Sequence, residues 1–539
     1  MIIVISMLLI SCSNQAENRP STTEQPTNQT DSASEAEENK NTTDSGYPIV
    51  KEPITLKVMG SKDPIHGEWA DLAMFKELEA LTGIKLEFDT PPVASWEEKK
   101  NLAFASGDIP DFFYRGTLKP SDVNTYGSQG ILIPLEDLID QHAPNIKKMF
   151  EDYPEVKAAM TSADGHIYTL RQVNVNEKRA QYGNRMWIGP DLLNELNMKM
   201  EDLPTNIEDF YVFLKSLQAK GLIPFSSETY SILRGPMLSA FGAIQNADGV
   251  AILNDQGVYM PIEPNYKEYL IYMNRLYKEK LLDNDIFSHT KPEFIAKGKN
   301  GQLGVFVFQN MQNILDMSLG DIVNKGAPMF APLTSPINDK PYWMLNSKVY
   351  ADSTFAITNK NPDPEATIRW IDFIYSAQGT ILVQFGKLVD DEFMNDPSKK
   401  FSFDEFLTPE QKANQAEYVG KNLTIYNAAR YIGDEFAAKT VMESHVAFYE
   451  ELIEERLVNP YAVEPVPSVS FTNEEQKELI LLLNDLTMYK TEMEAKFVAG
   501  QESFDRWDQY VSTMEKMGTD KVLDIYQAAY ERWKVAVSK

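Results

Sequence analysis

Cysteine is almost missing from this chain: Cys12 stands alone in 539 residues. A lone cysteine excludes any internal disulfide, so packing must stabilise whatever folds. Histidine is nearly as scarce, with five scattered copies, which leaves little material for a metal centre. The spacings His-Glu-x-x-His, Gly-x-Ser-x-Gly and the phosphate loop do not occur, so the common hydrolase readings have no motif to rest on. Basic charge is short as well. With 51 Lys and Arg against 79 Asp and Glu, the net charge is −28, whereas nucleic acid and anionic lipid both demand a basic partner. No cofactor, no metal and no enzyme activity are therefore expected.

Long apolar runs are lacking too. Met1 to Ile10 is nearly all apolar, a run of about ten that suits a signal-peptide core and is too short to span a bilayer. It closes in Leu9-Ile10-Ser11-Cys12, which resembles the lipobox of bacterial lipoproteins, where the cysteine is lipidated and becomes the new N-terminus. Residues 1–11 are then a signal peptide, and Cys12 carries the lipid that anchors the chain to the outer face of the cell membrane. The alternative is a stray cysteine in a trimmed signal peptide. No Lys or Arg precedes the run, so the true start lies upstream or the terminal amine supplies the charge. From Ser13 to Gly46 the chain is Ser, Thr, Asn, Gln and Glu with almost nothing apolar, which cannot offset the entropy of folding. Residues 12–47 are read as a disordered tether with a reach of about 30 Å.

The rest is 43% hydrophobic when counted over the whole chain and too long for one core, so two lobes are expected. Ile54-Thr55-Leu56-Lys57-Val58 and Ile84-Lys85-Leu86-Glu87-Phe88 alternate with period two around a helix at Ala70–Thr82 that Gly83 ends. That is a strand–helix–strand crossover, parallel and right-handed. Ser95 with Glu98, Thr205 with Glu208 and Thr472 with Glu475 have capping-box spacing, and Asp363-Pro364 opens another helix. Asp111–Tyr114 and Ile167–Leu170 read as strands. The C-terminal third is mainly helical. In doubly wound sheets ligands bind beyond the carboxyl ends of strands, here the loops Gly60–Trp69 and Arg115–Pro120.

The run Trp96-Glu97-Glu98-Lys99-Lys100-Asn101-Leu102-Ala103-Phe104-Ala105-Ser106-Gly107-Asp108-Ile109-Pro110-Asp111 resembles the early signature of family 1 extracellular solute-binding proteins, in their long Gram-positive lipoprotein branch. Thr82-Gly83-Ile84, Asp164-Gly165-His166-Ile167-Tyr168, Arg369-Trp370-Ile371-Asp372 and Gln527-Ala528-Ala529-Tyr530-Glu531-Arg532 extend the likeness over almost the whole body. The resemblance implies an α/β, two-lobed periplasmic-binding-protein-like fold of type II with a largely helical C-terminal part. Lobe one would take residues 48–165 plus about 340–385, and lobe two 166–339 plus about 386–539. It implies a monomer that closes on a small solute, often a sugar or oligosaccharide, and delivers it to the permease of an ABC importer. Two departures are visible. Lys215–Pro224 lacks the carboxylates of a loop that binds calcium in relatives, and the family's Asp-Trp-Leu is Asp191-Leu192-Leu193 here.

A sugar needs flat aromatic walls and planar polar groups that bond two hydroxyls at once. Asp63, His66 and Trp69 lie in the loop after strand one, although Trp69 could instead cap the first helix. Asp108 and Asp111 flank a family loop and could equally cap a turn. Tyr114 and Arg115 end a strand. Arg185 and Trp187 sit on a strand beside the hinge, while Glu228, Tyr230 and Arg234 follow Ile223-Pro224-Phe225. Tyr342-Trp343 is an aromatic pair in a Pro- and Asn-rich loop. Trp370, Trp507 and Trp533 fall within helical patterns and are assigned to the core. A surface adhesin or scaffold would also suit the tether; a glycoside hydrolase would need a carboxylate pair that pair counting cannot identify.

Overall fold

The computed structural model describes residues 40–176, 183–403, 406–441 and 444–538; Cys12 and most of the expected tether lie outside them. Two sheets organise the body. The first has six strands: β1 (Ile54–Met59), β2 (Ile84–Asp89), β3 (Phe112–Leu118), β4 (Leu170–Asn174), β11 (Val349–Ile357) and β12 (Tyr431–Ile432), in the order β12-β4-β11-β3-β1-β2. The second has three: β5 (Arg185–Ile188), β6 (Ile223–Ser227) and β9 (Leu303–Phe308), in the order β5-β9-β6. Two small pairs complete the strands, β7 (Val250–Leu253) with β8 (Gln256–Tyr259), and β10 (Trp343–Met344) with β13 (Ala462–Val463).

The centres of both sheets are buried on both faces, with alternate residues entering different cores, whereas β1 and β2 leave Lys57, Lys85 and Glu87 exposed. Leu56 and Val58 of β1, Phe112 and Tyr114 of β3, and Phe355 and Ile357 of β11 enter one core. Met59, Phe113 and Ala356, their neighbours of opposite parity, enter another. In the second sheet Met186, Ile188, Val305 and Val307 face a core that also takes the C-terminal helices. Trp187, Phe306 and Phe308 face the other side. A side chain such as Phe306, fully buried, contributes about 2 kcal/mol. Layers of helix on both faces of a mainly parallel sheet are the α/β arrangement expected.

The first crossover forms as read. β1 and β2 pair in parallel with Ile54 opposite Ile84, and the helix between them, Ala73–Thr82, ends at Gly83 with φ 77°. A left-handed residue there favours glycine. Thr472 and Glu475 form their capping box at the start of the helix Asn473–Ala499, and Asp363 caps Pro364–Tyr375. Other details differ. Ser95 donates to Pro92 O at 3.2 Å because residues 93–95 form a tight turn before the helix. Asn206 rather than Thr205 caps the next helix, accepting from the amides of Glu208 and Asp209 at 3.1 and 2.9 Å. The strand expected at Ile167–Leu170 forms later, as β4. β4 and β12, which the expected division assigns to lobe two, hydrogen-bond within the first sheet.

Candidate ligand-binding site

β11 runs antiparallel to β3 and β4, while β1, β2 and β3 are mutually parallel and β12 is parallel to β4. The carboxyl ends of all these strands except β11 therefore share one edge. β6 and β9 are parallel with β5 antiparallel, so the second sheet's carboxyl edge carries Glu228 and Gln309 just beyond β6 and β9, and Arg185 at the start of β5. The chain leaves the first edge at Asn174 and enters the second at Arg185, a span of at most about 40 Å. In open α/β sheets ligands bind beyond such carboxyl edges.

At the first edge Arg115 is the hub. Its Nε donates to Tyr426 O at 2.7 Å, its Nη1 to Ser61 Oγ at 3.0 Å and to the Ser61 carbonyl, and Nη2 lies 3.9 Å from the half-exposed Asp63 carboxylate. Arg115 and Thr117 hold φ of 53° and 42°, a left-handed conformation that costs L-residues energy and clusters at functional sites. His66 is 6% exposed. Its Nε2 accepts from the Tyr426 amide at 3.0 Å, so the proton sits on Nδ1, which is buried without a partner among the described residues. Burial, reinforced by the Arg115 guanidinium, lowers the imidazole pKa from its usual 6.5 to about 4. Near neutrality the ring is uncharged.

At the second edge Arg185 is 1% exposed, with Nη1 donating to Gln309 O at 3.0 Å and its guanidinium 6.0 Å from the Trp187 ring centre. Glu228 pairs with Lys291 at 3.1 Å. The loop carrying Glu228 is pinned from below. His289 Nε2 donates to Ser227 O at 2.8 Å, and Lys297 donates to His289 Nδ1 at 3.3 Å, to Asp283 at 2.9 Å and to Asp285 at 3.1 Å. A carbonyl only accepts and an ammonium only donates, so Nε2 is the donor and Nδ1 the acceptor of the His289 ring. Burial raises the Asp283 pKa, but hydrogen bonds from Lys297 and Ser226 outweigh it and hold it below the usual range.

The residues expected at a site divide accordingly. Asp63, His66 and Arg115 come together at the first edge; Arg185 and Glu228 lie at the second edge on either side of β9. Trp69 is 1% exposed and stacks on Phe75, Tyr114 packs edge-on against Trp370, and Trp187 fills the core with its Nε1 on Phe308 O at 2.9 Å. These three are packing residues. Tyr230 is buried with its hydroxyl 2.6 Å from that of Tyr269, and Arg234 pairs with Glu494 at 3.1 Å inside the second core. Asp111 accepts the Lys57 amide at 2.7 Å at the start of β3, and Asp108 is exposed just before it. Both lie at the amino end of the strand, away from the carboxyl edge. Tyr342 donates to Ala243 O at 3.0 Å, whereas Trp343 is half-buried beside Gly183. Trp370 and Trp507 are core, but Trp533 is only half-buried and lines two cavities. Tyr426, His289, Lys291 and Lys297 carried no local sequence signal, because their partners are distant in the chain.

Two separate sheets, one of six strands and one of three, each packed with helices, make up a two-lobed binding-protein-like fold. The family described as bacterial extracellular solute-binding protein matches residues 65–381, and the chain belongs to it. Among curated relatives, the fructooligosaccharide ABC transporter substrate-binding protein FusA of Streptococcus pneumoniae is 27% identical over 520 residues, covering 90% of this chain and 92% of its own. The solved structure of FusA in complex with kestose superposes with a TM-score of 0.71 at 24% identity, over 89% of this chain and 100% of that one. An HMO-binding ABC-transporter-associated solute-binding protein from Bifidobacterium longum infantis reaches a TM-score of 0.75 at 18% identity, over 90% and 99%.

Proposed function

We propose that this chain is the receptor of an ABC importer, anchored outside the cell through a lipid on Cys12, and that it captures an oligosaccharide between the two sheet edges. The supporting observation is the pairing of polar, pre-ordered edges. Arg115 with Ser61 on one side, and Arg185 with the Gln309 backbone on the other, are held by buried hydrogen bonds, with Asp63 and Glu228 beside them, so little ordering entropy of the arginines is left to lose on binding. The relatives add support: FusA is a fructooligosaccharide protein, and a 22% identical curated relative from Bacillus subtilis, YtcQ, is a polygalacturonan/rhamnogalacturonan-binding protein. In this reading lobe one is residues 48–165 and about 340–385 together with β4 and β12, and the solute stabilises the closed form that the permease recognises.

A thermal-shift screen with kestose, longer fructooligosaccharides, oligogalacturonides and human milk oligosaccharides tests the ligand class. A ligand at about 100 times its dissociation constant adds roughly 2.7 kcal/mol. Stabilisation by one saccharide series supports the reading, and silence across every series contradicts it.

A further inference from the structure

Away from the sheet edges, a cavity of about 620 Å³ opens between the two cores, within the range of ligand pockets. One wall is the helix Pro154–Met160 and the turn after it, whose Val156, Ala159 and Met160 belong to the first sheet's core. The other is the last helix, Thr519–Val537, whose Val522, Ile525 and Tyr526 belong to the second sheet's core. Ser470 stitches the walls together, donating from Oγ to Thr161 O at 2.7 Å, and Arg532 reaches Ser470 O at 3.2 Å. Trp533 lines this cavity and a smaller one of about 300 Å³ that reaches the crossing segment Ser347–Val349.

Trp533 is built as a platform. Its ring stacks on Tyr530 with centres 5.8 Å apart and planes 15° apart, and the Tyr530 hydroxyl is fixed by Asp255 at 2.8 Å. Around it stand Glu136, Lys157, Ser162, Ser470 and Arg532. Among the described residues neither the Trp533 indole N–H nor the exposed Lys157 ammonium has a hydrogen-bond partner. A flat aromatic face with unpaired donors and hydroxyls beside it is the chemistry that recognises a pyranose or furanose ring: C–H groups on the indole, hydroxyl oxygens on the donors.

We infer that the cavity bounded by Lys157 and Trp533 is a second saccharide site, separate from the sheet edges; only its ligand class rests on the carbohydrate reading above. Its walls come from different cores, so a sugar bound there is sensitive to the angle between them. By reciprocity it biases that angle and the affinity of the first site.

The test is ¹⁹F NMR of the chain labelled with 5-fluorotryptophan, titrated separately with kestose and with maltotriose at millimolar concentration. Of the seven tryptophans, the Trp533 resonance is the one missing from Trp533→Phe. It is expected to shift saturably with at least one of the two sugars, with half-saturation raised roughly fivefold in Lys157→Ala and the shift retained in Asp63→Ala. Absence of a saturable shift with both sugars overturns the proposal. So does a shift that vanishes in Asp63→Ala, which would make it a report of the first site. If the proposed cleft takes no sugar while Trp533 still responds, the first reading fails and this one stands.

Discussion

The backbone amide of Tyr426 donates to His66 Nε2 at 3.0 Å, joining residues 360 positions apart in the chain. That bond ties the loop after β1 to the segment just before β12 and fixes the tautomer of a ring buried at the first sheet edge. Replacing His66 with Phe leaves the Tyr426 amide unpaired and is expected to cost about 1–3 kcal/mol in urea unfolding. His66→Gln keeps an acceptor near the Nε2 position and should recover most of the loss. Equal losses in the two variants would show that the bond contributes nothing.

Two buried groups give opposite pH dependences. The His66 pKa is depressed from 6.5 to about 4, so the folded state binds fewer protons than the unfolded one between those values. Stability from this group is present above about pH 6.5 and is lost as pH falls toward 4. The Asp372 pKa is raised from 3.8 to about 6, mainly by burial and against hydrogen bonds from Ile146 and Asn145. Its contribution is greatest below 3.8 and is lost as pH rises to about 6. Unfolding free energy followed across this range should fall less steeply on acidification in His66→Gln than in the parent. In Asp372→Asn it should fall more steeply. The reverse order contradicts both assignments.

Glu494 is the carboxylate at the centre of the second core. It accepts from Arg234 at 3.1 Å and from the Tyr266 hydroxyl at 3.0 Å, and Lys490, 2% exposed, has its pKa lowered by burial and then by Arg234. Glu494→Gln leaves two buried cations without their counter-charge, which is expected to cost about 3–5 kcal/mol. Adding Lys490→Met should return part of it, measured as the shift in urea midpoint.

Gly60 has no room for a side chain: a Cβ would lie 2.1 Å from Tyr114 O and 2.5 Å from Trp69 Cη2. Gly60→Ala should therefore destabilise by about 1–3 kcal/mol or more and displace Ser61 and Asp63 behind it. Circular dichroism melts together with ligand titration would show stability and affinity falling together. An unchanged protein would contradict this packing of Gly60 against the β3 backbone.

Local order was legible in the sequence and long-range order was not. The β1–helix–β2 crossover follows from alternation and a terminal glycine, both contained within neighbouring residues, and the structure reproduces it. Arg115 and His66 could be placed in loops at strand ends, because strand direction alone decides that. Their partner Tyr426 could not, since nothing in its own neighbourhood marks a segment that returns to the first sheet. The aromatic candidates Trp69, Tyr114, Trp187 and Tyr230 show why residue type misleads: the rings suited to stack on a sugar are also those that fill a core, and only burial separates the two. Trp533 is the converse. Its helical spacing reads as core, yet it sits past the last well-packed turn and lines open space.

Isothermal titration calorimetry of the chain with kestose and with longer fructooligosaccharides tests capture between the sheet edges most directly. A saturable site in the micromolar range is predicted, corresponding to about −8 kcal/mol. Asp63→Ala and Glu228→Ala, one from each edge, should each weaken it at least about tenfold, or 1.4 kcal/mol. Unaltered affinity in both variants, or no heat with these or any other oligosaccharide, would contradict the account.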